Sequence, residues 1–260
     1  MGLFGKLFDK KTCDICGGEI GLLGNKKLED GNCCKECAGK LSPWFNERRH
    51  STVTDIKAQI DYREENRNTV AKFHTTRSFG EDMNVLLDED QQLFMVTRAR
   101  NLTEANPDVL SFSQVTGCDL DISENRTEEM REIRDKDGNT KRVSYNPPHY
   151  VYRYDFYIII RVNHPYFDEM RFKLNRNSVE VEVTGRTNAG VTPGKRNIDY
   201  QDYERMGKEI KQALTSIRTQ VRKEAQAAAA PKAAVTCPYC GATTIPDASG
   251  CCEYCGGAVG

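Results

Sequence analysis

The sequence predicts an α+β protein that is divided into several domains, and three observations support this. Pairs of cysteines with the spacing Cys-x-x-Cys stand near both ends of the chain, within residues 13–37 and 237–255. Apolar and polar residues alternate over much of residues 77–182, which is typical of antiparallel strands with one buried face. Apolar residues recur every three or four positions over 53–60 and 203–221, which indicates two amphipathic helices.

The charge balance and the cysteine content limit the classes of protein that fit. Lysine and arginine number 37 against 38 aspartate and glutamate residues, whereas a nucleic-acid-binding protein usually has a basic excess. The 11 cysteines are an odd number and cluster in pairs, which argues against a secreted disulfide framework. No apolar run approaches the roughly 20 residues that span a bilayer, and no signal-peptide core is present. We therefore expect a cytoplasmic protein in a reducing compartment.

The N-terminal residues 1–11 hold a short apolar stripe with cationic flanks. The stripe consists of Leu3, Phe4, Leu7 and Phe8, and the flanks are Lys6, Lys10 and Lys11. One interpretation is an interfacial anchor on an anionic membrane, which would place the protein peripherally at the inner membrane face. We favour a short helix packed on the neighbouring cysteine module, because two turns bury little area and anchoring usually takes more than one weak signal.

The first module contains two cysteine pairs, Cys13 with Cys16 and Cys34 with Cys37. Each pair can present two thiolates from a tight turn, and two such turns make a tetrahedral four-sulfur site for zinc. A hairpin between the pairs, followed by a helix that begins at the second pair, is the layout of a treble-clef finger. Cys33 leaves the third ligand ambiguous, and we choose Cys34 because it keeps the two-residue spacing. A redox dithiol is the alternative to zinc, but two paired sets disfavour it.

Several segments around this module resemble a bacterial zinc-finger family that is known only as domain of unknown function 4428. The segments that carry the resemblance are residues 1–11, 13–18, 41–45 (Leu-Ser-Pro-Trp-Phe) and 49–52. The resemblance covers about residues 1–60. It implies a bacterial source and zinc ligands at Cys13, Cys16, Cys34 and Cys37, and it implies no activity. The doubled cysteine at 33 and 34 departs from the family pattern.

A helix capped by Ser51 or Thr52 is expected to connect the finger to the central region. The central strands are predicted at residues 84–87, 92–96, 109–112, 118–122, 150–162, 170–174 and 179–183, with a charged hairpin at 127–143. Asp199 is expected to cap a long helix whose apolar stripe runs from Tyr203 to Val221. This order of antiparallel strands and one amphipathic helix resembles a pleckstrin-homology-like β-barrel that a helix plugs at one end.

The last module repeats the cysteine pairs of the first. Residues 225–236 are rich in alanine and contain Pro231, which predicts a tether. A zinc ribbon follows, with the ligands Cys237, Cys240, Cys252 and Cys255. Its knuckles also resemble those of rubredoxin, so iron is the alternative metal, although the gap between the pairs is short for that fold. We expect two structural zinc ions in total, with Cys251 as a spare cysteine.

These assignments give five predicted segments. They are a treble-clef-like finger (1–50), a connecting helix (51–76), the barrel with its helix (77–224), an Ala/Pro linker (225–236) and a zinc ribbon (237–260). A non-catalytic adaptor or scaffold is the function they favour, because closed four-thiolate sites leave no open coordination position. We expect the barrel and zinc modules to bind a protein or a membrane lipid, with the hairpin and the N-terminal stripe as first surfaces. A small-molecule substrate is not expected.

Two other functions are weaker alternatives. Nucleic-acid binding through the ribbon is disfavoured because no lysine or arginine follows Lys232, so the ribbon cannot neutralise phosphates. An enzyme with a site on the barrel loops would use residues such as His149, Asp155 and His164, which flank or lie in the longest strand. Scattered histidine and aspartate residues are, however, ordinary background.

Overall fold

The structure of the chain is a computed structural model with two compact units, Met1–Arg218 and Thr219–Gly260. It describes residues 11–187, 190–229, 234–247 and 249–259. The apolar stripe at residues 3–8 and part of the predicted linker lie outside the described residues.

The first unit begins with two small hairpins and a short helix. β1 (Lys11–Thr12) pairs with β2 (Glu19–Ile20), and β3 (Lys26–Lys27) pairs with β4 (Asn32–Cys33). α1 (Lys35–Gly39) follows. Buried cysteines and aliphatic side chains form one apolar cluster here: Cys13, Ile20, Leu28, Cys33, Cys37, Leu41 and Ile56. The element order is the one expected from the sequence.

α2 (Val53–Lys72) is the predicted connecting helix. Thr52 caps it, because its side chain accepts a hydrogen bond from the backbone N–H of Asp55 while the Asp55 carboxylate accepts one from the backbone N–H of Thr52. The buried face of α2 mixes apolar and polar side chains: Ile56, Gln59, Arg63, Asn66 and Val70. Buried polar groups need hydrogen-bond partners, and Arg63 and Asn66 find theirs at Asp108 and Asn106.

The first sheet is antiparallel and has its four strands in chain order. They are β5 (Arg77–Phe79), β6 (Asn84–Asp88), β7 (Leu93–Thr97) and β8 (Val109–Ser111), with α3 (Leu102–Ala105) between β7 and β8. Phe94 of β7 is fully buried, and its ring stacks on that of Phe112 with centroids 6.2 Å apart.

The second sheet is organised around one long strand. Its strands are β9 (Val115–Arg134), β10 (Thr140–Val162), β11 (Glu169–Lys173) and β12 (Val179–Thr184). β9 pairs along one edge of β10, whereas β11 and β12 share the other edge at residues 157–161 and 149–154 of β10. The predicted strand at 118–122 and the outgoing half of the predicted hairpin thus belong to one continuous strand, β9.

The expected closed barrel is wrong. The described residues form two separate four-stranded sheets with no ladder between them. A 3-10 turn at Phe112–Gln114 interrupts the chain where β8 gives way to β9. Since a barrel requires every edge strand to find a partner, a chain that leaves its sheet edges apart cannot close. The mixed α and β content is nevertheless as predicted.

α4 (Ile198–Ala229) packs its first half on the second sheet. The Tyr200 ring lies 4.9 Å from that of Tyr154 and 5.0 Å from that of Phe156, centroid to centroid. The cap is Asn197 and not the predicted Asp199, because the Asn197 side chain accepts a 3.0 Å hydrogen bond from the Tyr200 N–H. The alanines up to residue 229 continue the helix, as their high helix propensity allows.

After α4, the described residues of the second unit form short elements. β13 (Val235–Thr236) pairs with β14 (Thr243–Thr244), and Cys251 forms a single bridge with Ala258. Within the described ranges, no helix is both long and apolar enough to cross a membrane.

Candidate metal centres

The structure brings together the four cysteines that were predicted to bind the first zinc ion. The sulfur atoms of Cys13, Cys16, Cys34 and Cys37 all lie within 4.8 Å of one another. Cys16 Sγ and Cys34 Sγ are 3.9 Å apart. Zinc–sulfur bonds of about 2.3 Å at tetrahedral angles place sulfur atoms roughly 3.8 Å apart. The group is therefore suited to hold one zinc ion.

The first pair of this centre sits on a tight turn. The Cys13 N–H donates to the Gly18 carbonyl, and the Cys13 carbonyl accepts from the Gly17 N–H, each at 2.8 Å. Gly17 has a φ of +74°, a conformation that glycine adopts without a steric penalty. The turn presents the thiols of Cys13 and Cys16 to the same point.

The second pair sits at the start of α1. Cys34 is the N-cap residue of this helix, and its sulfur accepts a hydrogen bond from the Cys37 N–H at 3.3 Å. The Cys34 N–H donates in turn to the Cys13 sulfur at 3.2 Å. Backbone donors at a helix N-terminus stabilise negative charge, so they favour the thiolate form that binds metal.

The pKa values of Cys13 and Cys37 differ in direction, which bears on how these thiols ionise to bind a metal ion. Burial raises the pKa of Cys13, but hydrogen bonds from the backbone N–H groups of Cys16, Cys34 and Ile15 lower it to about 6. Burial and the neighbouring thiols hold the pKa of Cys37 far above its usual range. The Cys37 thiol therefore keeps its proton at neutral pH, and a zinc ion must displace that proton to bind this sulfur.

Cys33 lies outside this centre. It is fully buried in the apolar cluster of the finger, and its thiol donates to the Cys34 carbonyl at 3.4 Å. Burial and the nearby thiols of Cys13 and Cys34 raise the pKa of Cys33 to about 11. The thiol is therefore a neutral part of the core, and the group of four sulfur atoms contains Cys34 and not Cys33.

The second centre uses the four predicted cysteines of the C-terminal unit. The sulfur atoms of Cys237, Cys240, Cys252 and Cys255 lie within 4.8 Å of one another. Cys237 Sγ and Cys255 Sγ are 3.5 Å apart, and Cys240 Sγ and Cys252 Sγ are 3.8 Å apart. These separations also suit a tetrahedral zinc site.

Both pairs of the second centre repeat the turn seen at Cys13. The N–H groups of Cys237 and Cys252 donate to the carbonyls of Ala242 and Gly257, at 2.9 and 2.8 Å. Gly241 and Gly256 stand after the pairs with φ of +73° and +71°. Cys251, in contrast, is not part of the group of four.

The two groups differ in how they are built and agree in what they can do. In the first centre, one cysteine pair lies on a turn and the other lies at the N-terminus of α1. In the second centre, both pairs lie on equivalent turns. Each offers four thiolates and so fills the coordination sphere of a zinc ion. Two such groups indicate a zinc-finger protein with structural metal sites.

One comparison with known proteins gave a match to the first centre. Residues 12–59 match the family model described as "Domain of unknown function (DUF4428)". The matched segment contains all four cysteines of the first centre and ends within α2. No curated protein and no solved structure matched the chain. The match accords with the resemblance seen in the sequence and brings no activity with it.

Residues 12–59, the segment that matches the DUF4428 model, are joined to the rest of the first unit by a buried polar cluster that the sequence did not predict. Asp108, just before β8, accepts hydrogen bonds from Ser42 Oγ at 2.8 Å and from Arg63 at 2.7 Å. Asn66 donates to Asn106 at 2.8 Å. The signal in the sequence was the polar residues at buried positions of α2, but their partners lie some 40 residues further along the chain.

The three residues considered for catalysis do not meet. His149 stacks on Tyr145, with ring centroids 4.3 Å apart. Asp155 pairs with Lys173 at 2.6 Å. His164 hydrogen-bonds to Tyr62 at 2.9 Å. Because a strand rises about 3.3 Å per residue, His149 and Asp155 are roughly 20 Å apart along β10.

Proposed function

We propose that this protein is a non-catalytic, zinc-binding adaptor that binds a protein partner. The observation that carries the proposal is the completeness of both metal groups: four cysteine sulfurs converge at each centre. A zinc ion held by four thiolates has no position for water or substrate, so it stabilises structure and does not supply chemistry. A cytoplasmic location in a bacterium is part of the same proposal.

The hairpin formed by the far ends of β9 and β10 is the surface that we propose for the partner. Almost every residue of β9 from 123 to 134 is exposed, and Met130 and Ile133 keep 48% and 41% of their surface accessible. In the described part of the chain, β9 pairs with β10 alone. Its outer edge therefore offers backbone N–H and C=O groups to an added strand.

A shortened hairpin tests this assignment. Met130 and Ser144 are directly paired, so residues 131–143 can be replaced by Asn-Gly, a sequence suited to a two-residue turn. We expect the full chain to capture a protein from lysate of the native host and the shortened chain to lose it, with two zinc ions retained in both.

Point variants sharpen the same test. Ile133→Ser should weaken capture, whereas Val191→Ser, which removes another exposed aliphatic side chain (51% accessible), should not. Equal capture by the wild type, the shortened chain and Ile133→Ser would show that the partner binds elsewhere.

A further inference from the structure

The most exposed apolar side chains of the DUF4428 segment lie at the tip of one turn. Leu22 and Leu23, between β2 and β3, keep 85% and 95% of their surface accessible. The Gly24 N–H donates to the Gly21 carbonyl at 2.9 Å and closes the turn. Ile20, just before it, is buried. The turn thus directs two adjacent leucines away from the core. A single exposed apolar residue is ordinary on a protein surface, but two adjacent ones suggest an interaction site.

The residues that follow this turn in the sequence help to line a basic cavity. Its volume is about 650 Å³, and its lining residues are Asn25, Lys26, Lys27, Leu28, Glu29, Arg48 and Arg49. The lining contains four cations against one carboxylate. The Arg48 guanidinium donates to the Lys27 carbonyl at 2.7 Å, which fixes its position in the cavity wall. The cavity has the charge to bind an anionic group such as phosphate.

We propose that this part of the finger docks on an anionic lipid bilayer. Leu22 and Leu23 insert at the boundary between headgroups and acyl chains, and the four cations bind lipid phosphates. The apolar part is a projecting tip and not a groove, so it suits a fluid surface that deforms around it. Stable binding to a membrane takes two signals, apolar insertion and basic charge, and residues 22–27 together with Arg48 and Arg49 supply both.

This site differs from the apolar stripe at residues 3–8, and the difference is testable in the full chain. The probes are vesicles of phosphatidylcholine alone and vesicles that also contain the anionic lipid phosphatidylglycerol, with binding measured by co-sedimentation. Wild-type protein should bind the anionic vesicles and not the neutral ones. Leu22→Ser/Leu23→Ser should lower the binding constant by about tenfold or more, because two inserted side chains are lost. Lys26→Glu/Lys27→Glu should lower it at least as much, since each cation near an anionic surface contributes roughly fivefold.

The controls separate insertion from misfolding. Val191→Ser/Ile198→Ser removes two exposed apolar side chains outside the finger, 51% and 74% accessible, and should bind vesicles as the wild type does. All variants should retain two zinc ions. In a Leu23→Trp variant, the fluorescence emission of the added indole should shift to shorter wavelength on vesicle binding and should be quenched by brominated lipid. The wild type, which contains Trp44, gives the background signal to subtract.

Three results would overturn the proposal. They are a failure of the wild type to bind anionic vesicles, undiminished binding by the two-leucine variant, and binding in which the Leu23→Trp indole stays in water. If the leucine variant instead lost a protein partner and kept its vesicle binding, the tip would be a protein-docking site.

Discussion

The Arg63 guanidinium lies 2.7 Å from the Asp108 carboxylate, and the side chains are only 9% and 0% exposed. Ser42 donates to the second oxygen of the same carboxylate. Arg63 Nε also donates to the Lys40 carbonyl at 3.3 Å. One buried carboxylate therefore connects the finger, α2 and the segment that leads into β8.

Removing Arg63 should destabilise the first unit strongly. Arg63→Met leaves the Asp108 charge buried, with Ser42 as its remaining side-chain donor among the described residues, and breaking a buried pair in this way costs about 3–5 kcal/mol. The free energy of unfolding, measured by chemical denaturation with circular dichroism, should fall by about 3 kcal/mol or more. Arg67→Met is the matched control, because Arg67 and Glu64 form an exposed pair on the same helix, and such pairs contribute roughly 0–1 kcal/mol. Similar losses in both variants would contradict a special role for the buried pair.

Loss of the first zinc ion should weaken the sheets as well as the finger. The finger packs on the rest of the unit through Ser42 and through Trp44, whose ring lies 6.4 Å from that of Phe172 in β11. Structural zinc contributes on the order of 10 kcal/mol to a small finger. Cys37→Ser should therefore lower the free energy of unfolding, measured by the circular dichroism of the β-sheets, by several kcal/mol.

Cys252→Ser, in the second unit, is the control for this prediction. It should lose one zinc ion and leave the same free energy of unfolding within about 1 kcal/mol of the wild type. Unchanged sheet stability in Cys37→Ser would show that the finger folds independently.

His164 should make the stability depend on pH. Burial lowers the pKa of His164 below its usual value of 6.5. Its Nδ1 accepts a hydrogen bond from the Tyr166 N–H at 3.3 Å, an arrangement that the charged ring cannot keep. The unfolded chain therefore takes up the proton first as the pH falls. The stabilisation is fully present above about pH 6.5 and is lost below it, towards the lower pKa of the folded state.

The His164 contribution can be isolated by comparing variants. The difference in free energy of unfolding between the wild type and His164→Gln should shrink as the pH falls from about 7.5 to 5. A constant difference for His164→Gln would contradict this assignment.

The register of the ligands can be tested with neighbouring cysteines. Cys33→Ala should cost stability because it leaves a small cavity in the finger core, yet it should retain two zinc ions by metal analysis. Cys34→Ala should lose the first zinc ion. Cys251→Ala and Cys252→Ala form the matching comparison at the second centre. Loss of a zinc ion from Cys33→Ala would mean that Cys33 is a ligand.

The sequence predicts the metal centres well because their geometry is local. A Cys-x-x-Cys turn needs only a few consecutive residues, and the glycines at 17, 241 and 256 mark the same turn in each knuckle. The alternation over residues 150–162 likewise predicted most of the buried half of β10, because one face of a strand follows from its own side chains.

The features that the sequence did not predict depend on contacts between residues far apart in the chain. Whether β8 pairs with another strand is decided by the path of the whole chain, so the alternating pattern could not distinguish two sheets from a barrel. Arg63 stands at a buried position of α2, but nothing in that helix identifies Asp108 as its partner. Cys33 and Cys34 are equivalent by composition, and the start of α1 together with the pairing of β4 decides which one faces the metal.

X-ray absorption at the zinc edge, combined with metal analysis, tests the closed four-thiolate sites most directly. Protein purified without added metal should contain two zinc ions per chain. Each should show four sulfur neighbours at about 2.3 Å and no oxygen or nitrogen neighbour. A single zinc ion per chain, or an oxygen or nitrogen neighbour at about 2.0 Å, would contradict closed structural sites and reopen a catalytic role for the metal.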